Sequence, residues 1–300
     1  MKIAITGGSG LIGTEISNLL KKEHEITVLD FNPPKDDSIN FIKIDIENPE
    51  EIINSTKGID VIIHLAAALG VIETEKNPVR TLDVNAIGTK NVLEACKINN
   101  INKIIFSSSS EIYGEPEKIP IKETDRITPI TTYGISKLMA EEYIKSYSRA
   151  YGIRYTIFRL FNVYGEEQAN RWVVPEFVRK IVNDKEVTIH GDGNQIRAFC
   201  HVSDIANAFR FALTKGDSEV FNVGNNLEPI SIKELANKII TLAKSNSQIK
   251  FITFNDSLRN RREIINRAPD ISKITKIFEY KPKISLDDGL TRVIKKYNKS

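Results

Sequence analysis

Two cysteines in 300 residues, Cys96 and Cys200, are too few for a disulfide framework, so a reducing cytoplasm is the expected setting. No apolar run approaches the roughly 20 residues that a membrane-spanning helix needs. The run Val61-Ile62-Ile63-His64-Leu65-Ala66-Ala67-Ala68-Leu69 falls well short of it. Met1-Lys2-Ile3-Ala4-Ile5 runs straight into glycines, with neither an apolar core nor a cleavage site, and no secretory leader is expected. Neither sign of charge dominates, since 42 basic and 39 acidic residues leave a net charge of +3. The local excess at Arg259, Arg261, Arg262 and Arg267 lacks the interleaved aromatics or reading helix of a nucleic-acid surface. Clustered planar donors suit a small anionic substrate instead. No nucleic-acid partner, no membrane partner and no metal site is expected. Internal repeats, low-complexity tracts and flexible linkers are also missing.

What remains is an ordinary globular composition, 41% hydrophobic and 27% charged. A chain of this length makes one large domain or two moderate ones. Up to Tyr164, short apolar runs alternate with longer helical patterns. The predicted strands are Lys2–Thr6, Glu25–Asp30, Asn40–Ile46, Val61–Ala66, Lys103–Ser108 and Arg154–Phe161. Their interiors are almost continuously apolar, as befits parallel strands covered on both faces. Helical patterns lie between them at Leu11–Lys22, Pro49–Ser55, Val79–Lys97 and Gly134–Tyr151. This succession predicts an α/β fold, a Rossmann doubly wound parallel sheet with right-handed crossovers. Beyond Tyr164 the rhythm loosens, and a smaller C-terminal α/β substrate domain is expected. Its helical patterns are Val173–Asn183, Val202–Leu213, Ile232–Ala243, Ile271–Phe278 and Leu286–Lys296. A strand near 219–224 is placed to return to the first domain.

Directly after the first predicted strand stands Thr6-Gly7-Gly8-Ser9-Gly10-Leu11-Ile12-Gly13. Glycines let backbone turn tightly and approach a diphosphate, whose charge then sits at a helix N-terminus. Strand before and helix after make this a dinucleotide fingerprint. Asp30 ends the second strand, where a carboxylate accepts both ribose hydroxyls and repels a 2′-phosphate, favouring NAD over NADP. Asp45, ending the third, is placed either to reach an adenine amino group or to serve as an ordinary loop aspartate. His64 reads as structural more than chemical.

Tyr133 and Lys137 share a helix face at i and i+4. An ammonium beside a phenol, with an oxidised nicotinamide nearby, is expected to draw the phenol toward neutrality, where it serves as a general base. Ser107-Ser108-Ser109-Ser110-Glu111-Ile112-Tyr113-Gly114 ends a core strand, the place where ligands bind in such sheets.

With these residues the sequence resembles the extended short-chain dehydrogenase/reductases, in particular their nucleotide-sugar epimerase, dehydratase and decarboxylase group. The resemblance runs through His64-Leu65-Ala66-Ala67, Val84-Asn85-Ala86-Ile87-Gly88-Thr89, Arg159-Leu160-Phe161-Asn162-Val163-Tyr164-Gly165, Gly191-Asp192-Gly193-Asn194-Gln195-Ile196-Arg197 and Arg267-Ala268-Pro269-Asp270. It implies that residues 1–165 bind NAD and residues 166–300 a nucleotide-diphosphate sugar. The cofactor contacts expected are Gly7, Gly10, Leu11, Ile12, Gly13, Asp30, Asp45, Ile46, Leu65, Ala66, Ala67, Asn85, Ser107, Tyr133 and Lys137. Ser109, Tyr133, Lys137 and Glu111 are the implied catalytic set, and Ser109, Ser110, Asn162, Arg197 and Arg267 the substrate contacts. It further implies a homodimer through the helices Val79–Lys97 and Gly134–Tyr151, where Leu138, Met139, Tyr143 and Tyr147 lie near one stripe that faces either the partner or the sheet.

The group shares a first step, oxidation of the sugar at C4, and then diverges. Gly114-Glu115-Pro116 and Tyr133-Gly134-Ile135-Ser136-Lys137 look most like UDP-glucose 4-epimerases. Ser110-Glu111 resembles instead the pair in UDP-glucuronate decarboxylases and GDP-mannose 4,6-dehydratases, and Arg197-Ala198-Phe199-Cys200 leans toward the decarboxylases. The expectation is a 4-epimerase, with decarboxylase, 4,6-dehydratase and C4-dehydrogenase as alternatives and a non-catalytic NAD-binding protein more remote. Glu111 is either an acid/base group or a loop-bonding carboxylate.

Overall fold

The structure, a computed structural model, describes residues 1–253 and 264–298. Arg259, Arg261 and Arg262 of the basic cluster lie outside the described residues. Six apolar runs form parallel strands, β1 (Lys2–Thr6), β2 (Glu25–Asp30), β3 (Asn40–Lys43), β4 (Val61–His64), β5 (Lys103–Ser109) and β6 (Arg154–Leu160). The strand Glu219–Val223 adds to them, and the spatial order is Glu219–Val223, β6, β5, β4, β1, β2, β3. Every neighbouring pair in this sheet is parallel. The order reverses between β1 and β4, so the loops after these strands part and leave a crevice at the carboxyl ends.

Side chains alternate between two cores. Ile3, Ile5, Ile63, Ile105 and Phe158 face the helices Leu11–Leu20 and Val202–Ala212 through Ile16, Leu20, Ile205 and Phe209. Ala4, Ile62, Ile104, Phe106 and Ile157 face Gly88–Ile98 and Thr132–Tyr151 through Val92, Leu93, Ala140 and Ile144. Each fully buried aliphatic or aromatic side chain contributes roughly 1.5–3 kcal/mol. Coverage of both faces is why the strands read as unbroken apolar runs. A third core gathers the helices Val173–Ile181, Ile232–Ala243 and Leu286–Tyr297 around Phe177, Leu235, Ile239 and Leu290. There Ile196–Ala198 is flanked by Pro229–Ser231 and Asn266–Arg267.

Several boundaries differ from the sequence reading, most by one or two residues. β3 and β4 end at Lys43 and His64, short of Ile46 and Ala66, because Asp30↔Lys43 and Thr6↔His64 are the last paired positions before the chain turns into the crevice. The long helix begins at Thr132, two residues early, because the Thr131 hydroxyl caps it by accepting from the Gly134 N–H at 2.9 Å. The pattern Val79–Lys97 divides into Pro78–Leu82, a π-helical turn Asp83–Ile87 and Gly88–Ile98. That turn carries Asn85 inward, where its amide donates to Ala68 O at 3.0 Å and Ser136 Oγ at 2.9 Å and accepts from Ala68 N at 2.7 Å. No helix among the described residues is long and apolar enough to cross a membrane.

Candidate active site

A cleft of about 1300 Å³ opens at the carboxyl ends of the strands. One end is built by the glycine loop. Gly7 has φ +68°, and a Cβ there would stand 2.7 Å from the Ala66 nitrogen. A Cβ on Gly13 would stand 2.5 Å from Gly8 Cα. Bare backbone is therefore required at both positions, and the helix Leu11–Leu20 points its N-terminal N–H groups at the space left open. This cradle fits a dinucleotide diphosphate. Asp30 lines the cleft at the end of β2, its carboxylate accepting the backbone N–H of Ser9 and of Asn32, each at 3.1 Å. Gly10, Leu11, Ile12, Leu65, Ala66, Ala67 and Ser107 line the same stretch.

Tyr133 and Lys137 come together with Ser109, Ser110 and Glu111 farther along. The Lys137 ammonium donates to Ser107 O at 2.8 Å and lies 4.8 Å over the Phe106 ring and 5.8 Å over that of Tyr133. Burial draws Lys137 down to about 7, with the charge of Glu141 opposing. Burial also holds the Tyr133 phenol above its ordinary value, and Glu111 adds to this, while the Ser109 hydroxyl and Arg267 pull it down. The descent expected of the phenol is thus not delivered by these side chains alone, because desolvation outweighs the Ser109 hydrogen bond and the Arg267 charge.

Ser109 caps the short turn Ser110–Tyr113, its hydroxyl accepting the Glu111 N–H at 3.2 Å. Glu111 accepts from Thr131 Oγ1 at 2.9 Å and lies 3.4 Å from the Arg267 guanidinium. One carboxylate therefore touches both the cap of the Tyr133 helix and a strand of the C-terminal part.

The far wall holds Arg197 and Arg267. Arg197 donates to the carbonyls of Ile196 at 2.9 Å and Ile265 at 3.0 Å. The buried Nε of Arg267 has no hydrogen-bond partner among the described residues. Asn162, at φ +36° just past β6, lines the cleft beside them, with its amide nitrogen 3.5 Å from Ala198 O.

Three expected cofactor contacts do not line the cleft. The Asp45 carboxylate accepts the Glu47 N–H at 2.9 Å. Ile46 is buried so close beneath Gly88 that a Cβ there would lie 2.8 Å from Ile46 Cδ1. Asn85 acts one layer back, by holding Ala68. His64 is structural, bridging Thr6 Oγ1 at 2.6 Å and Thr89 Oγ1 at 3.0 Å, with burial lowering its pKa to about 3. Sequence reading passed over Glu75 and Lys76 of the short helix Val71–Lys76, and Arg171 and Trp172, all of which line the cleft. Gly70 and Asn77-Pro78 were the available punctuation for that helix. No group of three His, Cys, Asp or Glu side chains among the described residues could hold a metal ion.

Residues 3–224 match the family described as NAD dependent epimerase/dehydratase. A Methanocaldococcus jannaschii protein provisionally named a UDP-glucose 4-epimerase is 36% identical, with 97% of each chain covered. A Bacillus cytotoxicus UDP-N-acetyl-alpha-D-glucosaminuronate decarboxylase is 32% identical over 97% of this chain and 95% of that one. Among solved structures, the Thermotoga maritima UDP-glucose 4-epimerase with UDP-glucose superposes with a TM-score of 0.93 at 29% identity. It covers 100% of this chain and 99% of that one.

Proposed function

The chain belongs to the NAD dependent epimerase/dehydratase family, and from that premise we propose that it is a UDP-sugar 4-epimerase. The observation that carries this reading is the arrangement along one cleft. A backbone cradle for a dinucleotide diphosphate, the Ser109–Tyr133–Lys137 group and a pair of arginines follow one another. The solved UDP-glucose 4-epimerase of the same fold supports it. In this reading residues 1–165, with the returning strand, form the cofactor unit and residues 166–300 the nucleotide-sugar unit.

Gly7, Gly10, Gly13 and Asp30 hold the cofactor, NAD, which when bound takes hydride from the sugar C4 and gives it back. Arg197 and Arg267, aided by Asn162, hold the sugar diphosphate by charge-assisted hydrogen bonds. Ser109 donates a hydrogen bond to the 4-oxygen. Tyr133, as a phenolate stabilised by the Lys137 ammonium, takes the 4-hydroxyl proton as C4 becomes a ketone and is left as the neutral phenol. Return of the proton from Tyr133 after the ketone has turned over yields the 4-epimer, with mass unchanged.

A second reading, decarboxylation of a C6 carboxylate beside the 4-ketone, is favoured by Glu111 reaching the cleft and by the Bacillus cytotoxicus relative. Incubation with UDP-glucose, UDP-N-acetylglucosamine and UDP-glucuronate, followed by chromatography and mass spectrometry, separates the two. A new peak at unchanged mass supports the epimerase. Loss of carbon dioxide supports the decarboxylase, and no product from any of the three overturns both.

The reading includes a homodimer in the cytoplasm. Of the expected stripe, Met139 alone is exposed, while Tyr147 turns inward against the sheet-facing core and Tyr143 packs beside it. The exposed apolar side chains on the two helices expected at the interface are instead Val79, Ile87, Ile135, Met139 and Tyr151. Light scattering that gives a monomer would remove the dimer from the proposal.

A further inference from the structure

Beneath the serines that end β5 lies a buried charged network to which the steps above assign no part. Glu141 follows Lys137 by one helical turn and is 0% exposed. Its Oε1 accepts from Ser108 Oγ at 2.6 Å and from Arg159 Nε at 3.0 Å, and its Oε2 accepts from Arg159 Nη2 at 2.9 Å. Arg159, on β6 and 3% exposed, also donates to the Tyr113 hydroxyl at 2.8 Å, which in turn donates to Asn222 Oδ1 at 2.7 Å. Ser108 stands between Ser107, whose carbonyl holds the Lys137 ammonium, and Ser109. Desolvating a carboxylate and a guanidinium costs several kcal/mol for each ion, and a merely structural tie is made as well by packed apolar side chains. The charge therefore calls for a purpose.

We propose that Glu141 is a positioning residue for the proton-handling group. Through Ser108 it fixes the end of β5 that presents the Ser107 carbonyl, which holds the Lys137 ammonium, and the Ser109 hydroxyl, and its negative charge works against the desolvation of Lys137.

The inference rests on the roles given to Tyr133 and Lys137 above. The groups that face Lys137 are few. Its own helix supplies Tyr133 and Glu141, and β5 supplies the Ser107 carbonyl and the Phe106 ring. β4 supplies His64, kept neutral by burial. β6 supplies Arg159, paired at two points with Glu141, and Lys145, one turn beyond Glu141 on the same helix, lies 3.5 Å from that carboxylate. Glu111 and Arg267 act on the Tyr133 side. Among these, Glu141 is the charge that opposes the desolvation of Lys137. A lysine that loses its proton in the working pH range no longer stabilises a phenolate at Tyr133.

The test follows the holoenzyme by two readouts, the pH profile of kcat and the titration midpoint of the Lys137 ε-carbon NMR resonance, assigned by its loss in Lys137→Met. Glu141→Gln leaves Arg159 unpaired and risks unfolding. The double variant E141M/R159M therefore replaces the pair with apolar side chains, an exchange that is often tolerated. Its midpoint and the alkaline limb of its kcat profile are expected to move about one pH unit toward acid. S108A, which leaves both charges in place, should lower kcat about tenfold with the midpoint unmoved. A folded E141M/R159M with a wild-type midpoint and profile overturns the proposal. Tyr133→Phe or Lys137→Met retaining near-normal turnover overturns the underlying assignment instead, and the NMR midpoint separates the two failures.

Discussion

Arg197 and Arg267 stand directly opposite one another on neighbouring parallel strands, two guanidinium groups at matched register on the wall of one cleft. Like charges so placed repel, and the arrangement becomes favourable when a polyanion lies across both. R197Q and R267Q are each expected to raise KM for a UDP-sugar about 10- to 100-fold while leaving R197Q kcat within a few fold. R267Q should lower kcat as well, because it releases Glu111 from its partner. Steady-state kinetics on the purified variants decides this, and an unchanged KM in both would remove the arginines from substrate binding.

Removing the Tyr133 hydroxyl should separate chemistry from binding. Y133F is expected to lose about 10²- to 10⁴-fold in kcat while still binding NAD. Calorimetric titration of NAD beside the turnover assay checks both halves. Lost NAD affinity together with lost turnover would point to a collapsed site.

The pH dependence of stability carries a signature of two buried bases. The folded chain holds Lys137 at about 7 against an ordinary 10.5, so from pH 7 upward the unfolded chain binds a proton that the folded chain does not. Stability of the cofactor-free protein therefore rises with pH from about 7 toward the ordinary lysine range, and K137M should lack that rise. His64, at about 3 against 6.5, works in the lower window. Its contribution is intact above pH 6.5 and is lost as pH falls toward 3, because the unfolded chain protonates first. Urea unfolding of wild type, K137M and H64N at several pH values tests both slopes. Parallel curves for all three would refute them.

At the glycine loop the clash is with backbone, which cannot swing aside. G13A would drive a methyl group to 2.5 Å from Gly8 Cα and 2.6 Å from Gly8 O. A stability loss of about 1–3 kcal/mol is expected, with NAD affinity reduced at least tenfold. Thermal unfolding with and without NAD provides the measurement. A variant stabilised by NAD as strongly as wild type would show that the cradle tolerates a Cβ.

Much of this architecture was legible in the chain, for identifiable reasons. Parallel strands buried on both faces cannot disguise themselves, and Ile3-Ala4-Ile5 or Val61-Ile62-Ile63 announce the sheet. The glycine loop was legible because its spacing serves geometry, and the tyrosine and lysine because one turn puts them on one face. Asp45 and Ile46 do not line the cleft in this structure, and ending a strand does not say which way a side chain turns afterwards. The division at Asp83–Ile87 was hidden because a π turn leaves the apolar pattern nearly intact while rotating Asn85 inward. Glu141 stayed silent because an acidic residue on a long helix reads as a solvated face until the opposite strand supplies Arg159.

The strand Glu219–Val223 is the edge neighbour of β6, yet between the two the chain travels through Val173–Ile181, Val187–His190, Ile196–Ala198 and Val202–Ala212, and the elements from Pro229–Ser231 onward follow it. A break after Tyr164 would leave Phe158 and Leu160 without the partner strand that covers them, so a fragment ending there should be soluble only with help. For recombination, the consequence is that a different sugar pocket cannot be joined on by one crossover. Exchanging it between relatives takes at least two cuts, one on each side of Glu219–Val223. Change of substrate by point substitution along the cleft wall is therefore the easier course for this chain.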